Sequence, residues 1–416
     1  MNKIKELYLN NRVKFDCILL AILFVFNCFF YEGAYIAYIG LLALVLTETR
    51  QNGFTLIVFA IPFVSLSVPL SVGLYFACIV AYEVKHFIIA YFIDKIKPSK
   101  ALLITTAIFV IFCILPIGEY NANWFIKLCV FLTIISLFTL FTYYPKDLGL
   151  RRNLRILAGS LLLSVVYCLF YFVSPYLKDL FSVTMSFGEG SMRFGALCST
   201  VNQLAMICEI SLSLIMYFIV RKESSIGDYF AFALFSVIGF TSLSKTYFIL
   251  YMVLMLVLII HCFRIDSFKT LLWVTVGAML ILCLVIIKSD FIVRYLNRFI
   301  GDDFFALDLE DKLNYLTTYR YDLWVDTLRY IGDNPSIILY GAGLGADKVT
   351  INSPHNFFIT ALYNLGIIGI VIYIAVMAIL IRNMRRKGIK LGKAIAVPVI
   401  IFTLLFMVED FFLFIN

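Results

Sequence analysis

One histidine is placed where it could act as a base. His355 lies in a Ser-Pro-His-Asn stretch at the front of the apolar run 356–381. We expect Ser353 to cap this helix and Pro354 to fit its first turn, so that His355 lies among unpaired amides. The positive end of a helix attracts anions and disfavours imidazolium, which leaves a neutral ring able to accept a proton. These properties suit a general base beside a phosphate leaving group; an interfacial histidine that only forms hydrogen bonds is the simpler alternative.

Three cations lie near the predicted outer ends of membrane spans, where the orientation rule for membrane proteins does not require them. Arg193 precedes a span that contains Asn202, Lys245 lies in the turn between two short apolar stretches, and Arg320 lies on an amphipathic segment. Snorkelling to lipid phosphates would explain any one of these cations. Together with His355 on the same side, they favour a site that binds an anion.

Two glycine motifs have structural explanations. The sequence GAGLG at 341–345 resembles half a dinucleotide fingerprint, but no βαβ unit surrounds it, and we expect a flexible lid. Gly366 and Gly369 in GIIGI predict close packing between helices. The 10 cysteines are scattered through apolar runs without a CxxC, which indicates small buried side chains.

Membrane helices must position these residues. The chain is 62% hydrophobic and 14% charged, whereas soluble domains are roughly half apolar and a quarter charged. Stretches of about 20 apolar residues can cross a bilayer. They predict an all-α, polytopic bundle of about 12–13 spans, at roughly 15–31, 33–47, 54–69, 71–92, 101–117, 124–142, 154–174, 197–220, 229–243, 246–262, 270–288, 356–381 and 393–414. Pro62 and Pro69 should kink or break the third of these.

The distribution of positive charge sets the predicted topology. With the N-terminus in the cytoplasm, the inner connections carry most of the 34 Lys and Arg residues, as the positive-inside rule requires. Residues 1–288 then form an N-terminal bundle of about 11 spans, 289–355 a large periplasmic loop, and 356–416 the C-terminal membrane helices. Within the loop, 311–335 predicts an amphipathic helix that ends at Asn334-Pro335.

These residues resemble the signature of the O-antigen ligase and O-antigen polymerase superfamily. The superfamily pattern is an arginine, a nearby tryptophan, an Asn-Pro, a G-x-G loop, and a His-Asn that opens a helix with a G-x-x-G step. It is matched by Arg320, Trp324, Asn334-Pro335, Gly341 with Gly343, His355-Asn356, and Gly366 with Gly369. Upstream, Arg193, Gly195 and Asn202 resemble its Arg-x-Gly…Asn stretch. Lys245 stands where arginine is usual, and lysine lacks the planar fork that binds phosphate bidentately.

The resemblance, which covers roughly 190–380, implies a multi-pass glycosyltransferase of the bacterial inner membrane with its active site facing the periplasm. The donor would be an oligosaccharide on undecaprenyl diphosphate. His355 would be the base, and the diphosphate and glycan would be bound by Arg193, Lys245, Arg320, Asn202 and Asn356. No metal, nucleotide, other cofactor or nucleic acid is implied. Membrane lipids and a chain-length regulator protein are further candidate partners.

Three functions fit these observations. The preferred one is a polymerase of lipid-linked repeat units, for O-antigen or a capsule-like polysaccharide. The nearest alternative is an O-antigen ligase, which transfers the finished glycan to lipid A–core. A flippase or transporter of lipid-linked oligosaccharides is the third. Transporters place polar residues in broken helices at mid-membrane, whereas the polar candidates here gather at the predicted outer edge.

Overall fold

The computed structural model describes most of the chain as helices. The described residues are 2–64, 66, 70–114, 122–144, 149–177, 179, 194–198, 201–265, 304–317, 320–344 and 356–386. Within these ranges every element of regular secondary structure is a helix, which confirms the all-α class. His355, Arg193, Ser353, Pro354 and the predicted spans 270–288 and 393–414 lie outside the described residues.

The α-helices are numbered in chain order. They are α1 (Asn2–Asn27), α2 (Gly33–Thr47), α3 (Arg50–Ala60), α4 (Leu70–Ile88), α5 (Lys100–Ile114), α6 (Ala122–Tyr143), α7 (Leu150–Tyr167), α8 (Val201–Val220), α9 (Ile226–Thr241), α10 (Lys245–Ile265), α11 (Leu309–Thr317), α12 (Arg320–Asp333), α13 (Pro335–Tyr340) and α14 (Phe357–Arg386). Short 3₁₀ or π turns extend α3, α4 and α7.

Several of these helices can cross a membrane. Five are long and apolar enough within the described residues, at Leu70–Ile93, Trp124–Tyr143, Leu150–Phe172, Val201–Val220 and Phe358–Arg386. Shorter apolar helices accompany them, among them α2, α5 and α9. The chain is therefore a polytopic integral membrane protein, as predicted, and the total of about 12–13 spans stays a prediction.

The chain divides into two compact units that interleave along the sequence. The first contains α1–α4 and α7–α10. In it, α1 pairs with α2, α2 packs on α4, α3 packs on α7, and α8 packs against α9 and α10. The predicted break near Pro62 is confirmed, because α3 ends at Ala60 and a 3₁₀ turn follows at Ile61–Phe63.

The second unit contains α5, α6 and α11–α14. Its core is built from buried apolar residues of α5, α6 and α14, together with Leu344 from the loop after α13. Helices in lipid associate through close packing rather than through a hydrophobic driving force. Gly369 of α14 fits this rule, because a Cβ there would lie 2.5 Å from the ring of Phe112 on α5. The predicted packing role of Gly369 is confirmed.

The predicted amphipathic helix 311–335 is wrong in its extent, because the segment forms two helices and the start of a third. Asn314 of α11 caps α12: its Oδ1 accepts from the Asp322 amide at 3.1 Å, and its Nδ2 donates to Asp322 Oδ1 at 2.6 Å. These bonds satisfy groups that a helix start leaves unpaired. The predicted end at Asn334-Pro335 is confirmed, because α12 ends at Asp333. Pro335 then occupies the first turn of α13, where a missing N–H costs nothing.

Candidate functional site

The entry to α14 carries the signature His-Asn pair. The helix begins at Phe357, and Asn356 is its N-cap. Asn356 Oδ1 accepts from the amides of Phe358 at 3.0 Å and Ile359 at 3.2 Å. The prediction that Ser353 caps this helix is therefore wrong. Asparagine caps as well as serine does, so the local sequence offered two candidates.

This cap changes the predicted chemistry of the helix entry. His355 is the residue before the N-cap rather than a residue of the first turn. The Thr360 amide also has a partner, since it donates to the Asn356 carbonyl at 2.9 Å. The first-turn amides are thus largely occupied by the chain itself, and the helix dipole remains as the local attraction for an anion. Anion binding here must depend mainly on cationic side chains.

An Asn356→Ala variant tests the cap. We expect a loss of about 1 kcal/mol in stability, because two amides of α14 lose their acceptor. The measurement is thermal unfolding of the detergent-purified protein. Asn356→Asp is the control, since a carboxylate also caps but lacks the amide's donor hydrogens. If this variant keeps wild-type stability and loses activity, the substrate-binding role predicted for Asn356 is supported. Equal loss of stability in both variants would contradict the capping role.

The glycine-rich loop is docked on a break in α14. Gly366 has φ 61° and ψ −178°, which interrupts the helix. In an uninterrupted helix the Tyr363 and Asn364 carbonyls would accept from amides four residues later. Here they accept from the loop instead, with Ala342 N donating to Tyr363 O at 2.6 Å and Gly343 N to Asn364 O at 3.1 Å.

One prediction is corrected by this docking and another is confirmed. The described part of the loop, from Gly341 to Leu344, is bonded to α14 and buries Leu344 in the core, so these residues do not form the predicted flexible lid. The predicted close packing at Gly366 is confirmed, because a Cβ there would lie 2.4 Å from Gly341 N and 2.6 Å from Leu339 O of α13; Gly366 also breaks the helix. Both glycines have positive φ, at 75° for Gly341 and 61° for Gly366. Only glycine adopts these conformations readily.

Arg320 is held in the same unit. It is the first residue of α12 and is half-buried. The Asn314–Asp322 bonds fix the start of this helix two residues away. Trp324 follows four residues later, so the two side chains share a helix face. Arg320, the arginine of the superfamily pattern, therefore lies at a capped helix end rather than in an irregular loop.

Asn202 and Lys245 lie at one end of the first unit. Helices α8 and α9 run antiparallel, and a short turn leads from Thr241 to Lys245 at the start of α10. The beginnings of α8 and α10 and the end of α9 therefore meet there. The amide of Phe194 donates to the Thr241 carbonyl at 3.1 Å, which ties the residue after Arg193 to the same end.

The turns at this end are strained. Ala196 has φ 51° and Leu243 has φ 48°, and both are buried. Residues other than glycine occupy this region at a cost, and such strain clusters at binding and catalytic sites. Ser244 stabilises the start of α10, because the Phe248 amide donates to its carbonyl at 3.1 Å. Lys245 therefore begins α10 directly after a strained turn.

One ionisable residue of α8 was not singled out from the sequence. Glu209 is completely buried, and within the described residues its carboxylate oxygens have no hydrogen-bond partner. It follows Asn202 by two helical turns and so shares its face. The sequence could have pointed to Glu209, because it is a single acidic residue inside an apolar run and ionisable residues within membrane spans are commonly functional.

The fold and these motifs define a polytopic, all-helical membrane protein. Residues 230–374 match the family model described as O-antigen ligase, which confirms the resemblance to the O-antigen polymerase and ligase superfamily. The match covers about a third of the chain and includes Lys245, Arg320 and His355, whereas Arg193 and Asn202 precede it. No curated protein and no solved structure matches the chain. The family implies an enzyme that transfers glycosyl groups and acts on lipid-linked glycans in membranes.

Proposed function

We propose that this protein is a metal-independent glycosyltransferase that polymerises undecaprenyl-diphosphate-linked repeat units at the periplasmic face of the inner membrane. The product is an O-antigen or a capsule-like polysaccharide. The main support for the proposal is the structure at the start of α14. Asn356 is anchored by two amide bonds, and His355 is joined to it by the chain. A base at such an entry works at the edge of the membrane, where a lipid-bound diphosphate and a soluble sugar hydroxyl can both reach it.

The proposed reaction joins two lipid-linked glycans. His355 takes the proton from the acceptor hydroxyl, whose oxygen bonds to the anomeric carbon of the donor. The bond between that carbon and the diphosphate oxygen breaks, and undecaprenyl diphosphate leaves with the electron pair. Arg193, Lys245 and Arg320 stabilise the charge that develops on the diphosphate, as preorganised cations do in a site of low dielectric constant.

The geometry of the first unit supports a shared role for Arg193 and Lys245. Phe194 is bonded to Thr241, which lies four residues before Lys245. Phe194, the residue after Arg193, is therefore tied to the turn that leads to Lys245, and this supports a shared role for the two cations at one phosphate group. Asn202, at the start of α8, is placed to donate to the glycan or to the diphosphate.

The alternatives differ in what supports them. A ligase that transfers the glycan to lipid A–core is favoured by the description of the matching family and uses the same base and cations. A transporter is disfavoured because the break in α14 is filled by the chain's own loop. In transporters the groups exposed by such a break are available to the cargo.

Deletion of this chain from its host tests the proposal. We expect lipid A–core that carries single repeats, because ligation continues without polymerisation. The measurement is electrophoresis of the surface polysaccharide, together with mass spectrometry of the lipid-linked glycans. The wild-type chain supplied in trans is the control and should restore long chains. Long glycans stranded on the carrier lipid would identify the ligase instead, and an unchanged glycan profile would refute both transfer reactions.

A further inference from the structure

A cavity lies at the other end of the first unit's helices from Asn202 and Lys245. We name it the arginine cavity. Its volume is about 700 Å³, and Arg151, Arg152, Arg155, Phe218 and Glu223 are among the residues that line it. It lies between the start of α7 and the end of α8. Nothing in the proposed transfer reaction uses it.

The arginine cavity carries a surplus of positive charge. Three arginines and one glutamate line it. Asp228 lies behind them and pairs with Arg151 at 3.3 Å and with Arg155 at 2.9 Å. These pairs fix the guanidinium groups in place but do not cover them, because the two side chains stay 36% and 41% exposed. A guanidinium has five donors in a planar fork that suits phosphate oxygens.

The backbone at the rim adds to this potential. Gly149, at the N-cap of α7, provides no side-chain cap to the helix. Gly149 and Leu150, at the start of α7, line the cavity, so the positive end of the helix dipole lies at its rim. An anion in the cavity would meet the guanidinium groups and this positive helix end.

Apolar side chains also line the cavity. Leu150 and Ile156 of α7 and Phe218 of α8 are among its lining residues. Phe218 lies under the guanidinium of Arg151 at 4.8 Å. A cavity lined by both arginines and apolar side chains suits a phospholipid, which has a charged headgroup and apolar chains, whereas a free phosphate has no apolar part.

We propose that the arginine cavity binds the phosphate-bearing headgroup of an anionic phospholipid, whose acyl chains contact the apolar part of the lining at Leu150, Ile156 and Phe218. On the predicted topology this end of the unit faces the cytoplasm, where basic pockets between spans hold anionic headgroups. The bound lipid would fix the start of α7 against α8 and α9. The site is independent of the proposed function, and its test does not require activity.

Binding is measured by native mass spectrometry of the purified full chain titrated with cardiolipin, phosphatidylglycerol or phosphatidylcholine. The anionic lipids should bind more tightly than phosphatidylcholine. Arg155→Gln should weaken cardiolipin binding about five-fold, the effect of removing one basic residue near anionic lipid. Arg329→Gln is the matched control, because Arg329 is exposed, pairs with Asp326 and lies on α12 in the second unit, outside the lining of the cavity. This control should bind as the wild type does.

A Glu223→Gln variant distinguishes a specific effect from misfolding. This substitution removes a negative charge from the lining, so cardiolipin should bind two- to five-fold more tightly, roughly the effect of one charge near anionic lipid. A misfolded protein would not bind cardiolipin more tightly. Equal weakening by Arg155→Gln and Arg329→Gln would show a general surface effect and overturn the proposal, as would a lack of preference for anionic lipids. Inorganic phosphate in millimolar excess should not displace cardiolipin. Displacement that depends on Arg155 would assign the cavity to free phosphate and overturn the lipid assignment.

Discussion

A His355→Ala variant is expected to insert and fold normally and to lose glycan chain growth almost completely. Removal of a general base lowers a rate by about 10²- to 10⁴-fold, because the acceptor hydroxyl must then lose its proton to water. Folding should survive, because the cap of α14 is formed by Asn356 and not by His355. The measurement is the rate of polymer formation by purified protein from lipid-linked repeat units, with membrane abundance checked in parallel.

Two further variants sharpen this result. His355→Gln keeps hydrogen-bonding groups without the basicity of imidazole, and it should be as inactive as the alanine variant. His261→Ala is the matched control, because His261 lies sixteen residues after Lys245 on α10, far from the proposed site along the helix. It should polymerise at the wild-type rate. Normal chain growth by His355→Ala at normal abundance would refute the role of base, whatever the glycan specificity of the enzyme.

The positions of most membrane helices could be predicted because their signals are local. About 20 apolar residues must form a helix in lipid, where each backbone group needs a partner. Pro62 ends α3 for an equally local reason, because proline has no N–H to donate to the Val58 carbonyl. The first span follows the same pattern, since α1 begins at Asn2 but non-helical backbone at Asn11 separates its leading residues from the apolar part that was predicted to span.

Features that depend on distant partners could not be predicted in the same way. The cap of α12 comes from Asn314, eight residues before Asp322 on another helix. The break at Gly366 lies within GIIGI, where neither proline nor a polar residue indicates it. It exists because Gly341 approaches from the loop, and no local pattern records that approach. The site residues were found by type and by resemblance, whereas the anchoring of their loop required the structure.

Gly366→Ala should be the most damaging small substitution in the second unit. Gly366 combines φ 61° with ψ −178°, a region that is essentially restricted to glycine and costs other residues about 1–3 kcal/mol. Its new Cβ would also lie 2.4 Å from Gly341 N and 2.6 Å from Leu339 O. The loop must then move away, and the bonds from Ala342 and Gly343 to α14 would be lost. Each such bond contributes about 0.5–1.5 kcal/mol.

Together these effects predict a loss of about 2–6 kcal/mol in stability, with a large fall in yield and no measurable chain growth. The measurement is the thermal midpoint of the purified protein and its polymerising activity. Gly332→Ala is the matched control, because it makes the same change on α12, where a Cβ would have no heavy atom within 4 Å. That variant should be as stable as the wild type or slightly more so, since alanine favours helix. A Gly366→Ala protein with the wild-type midpoint would show that the docked loop does not depend on the helix break. His355 would then need another source of positioning.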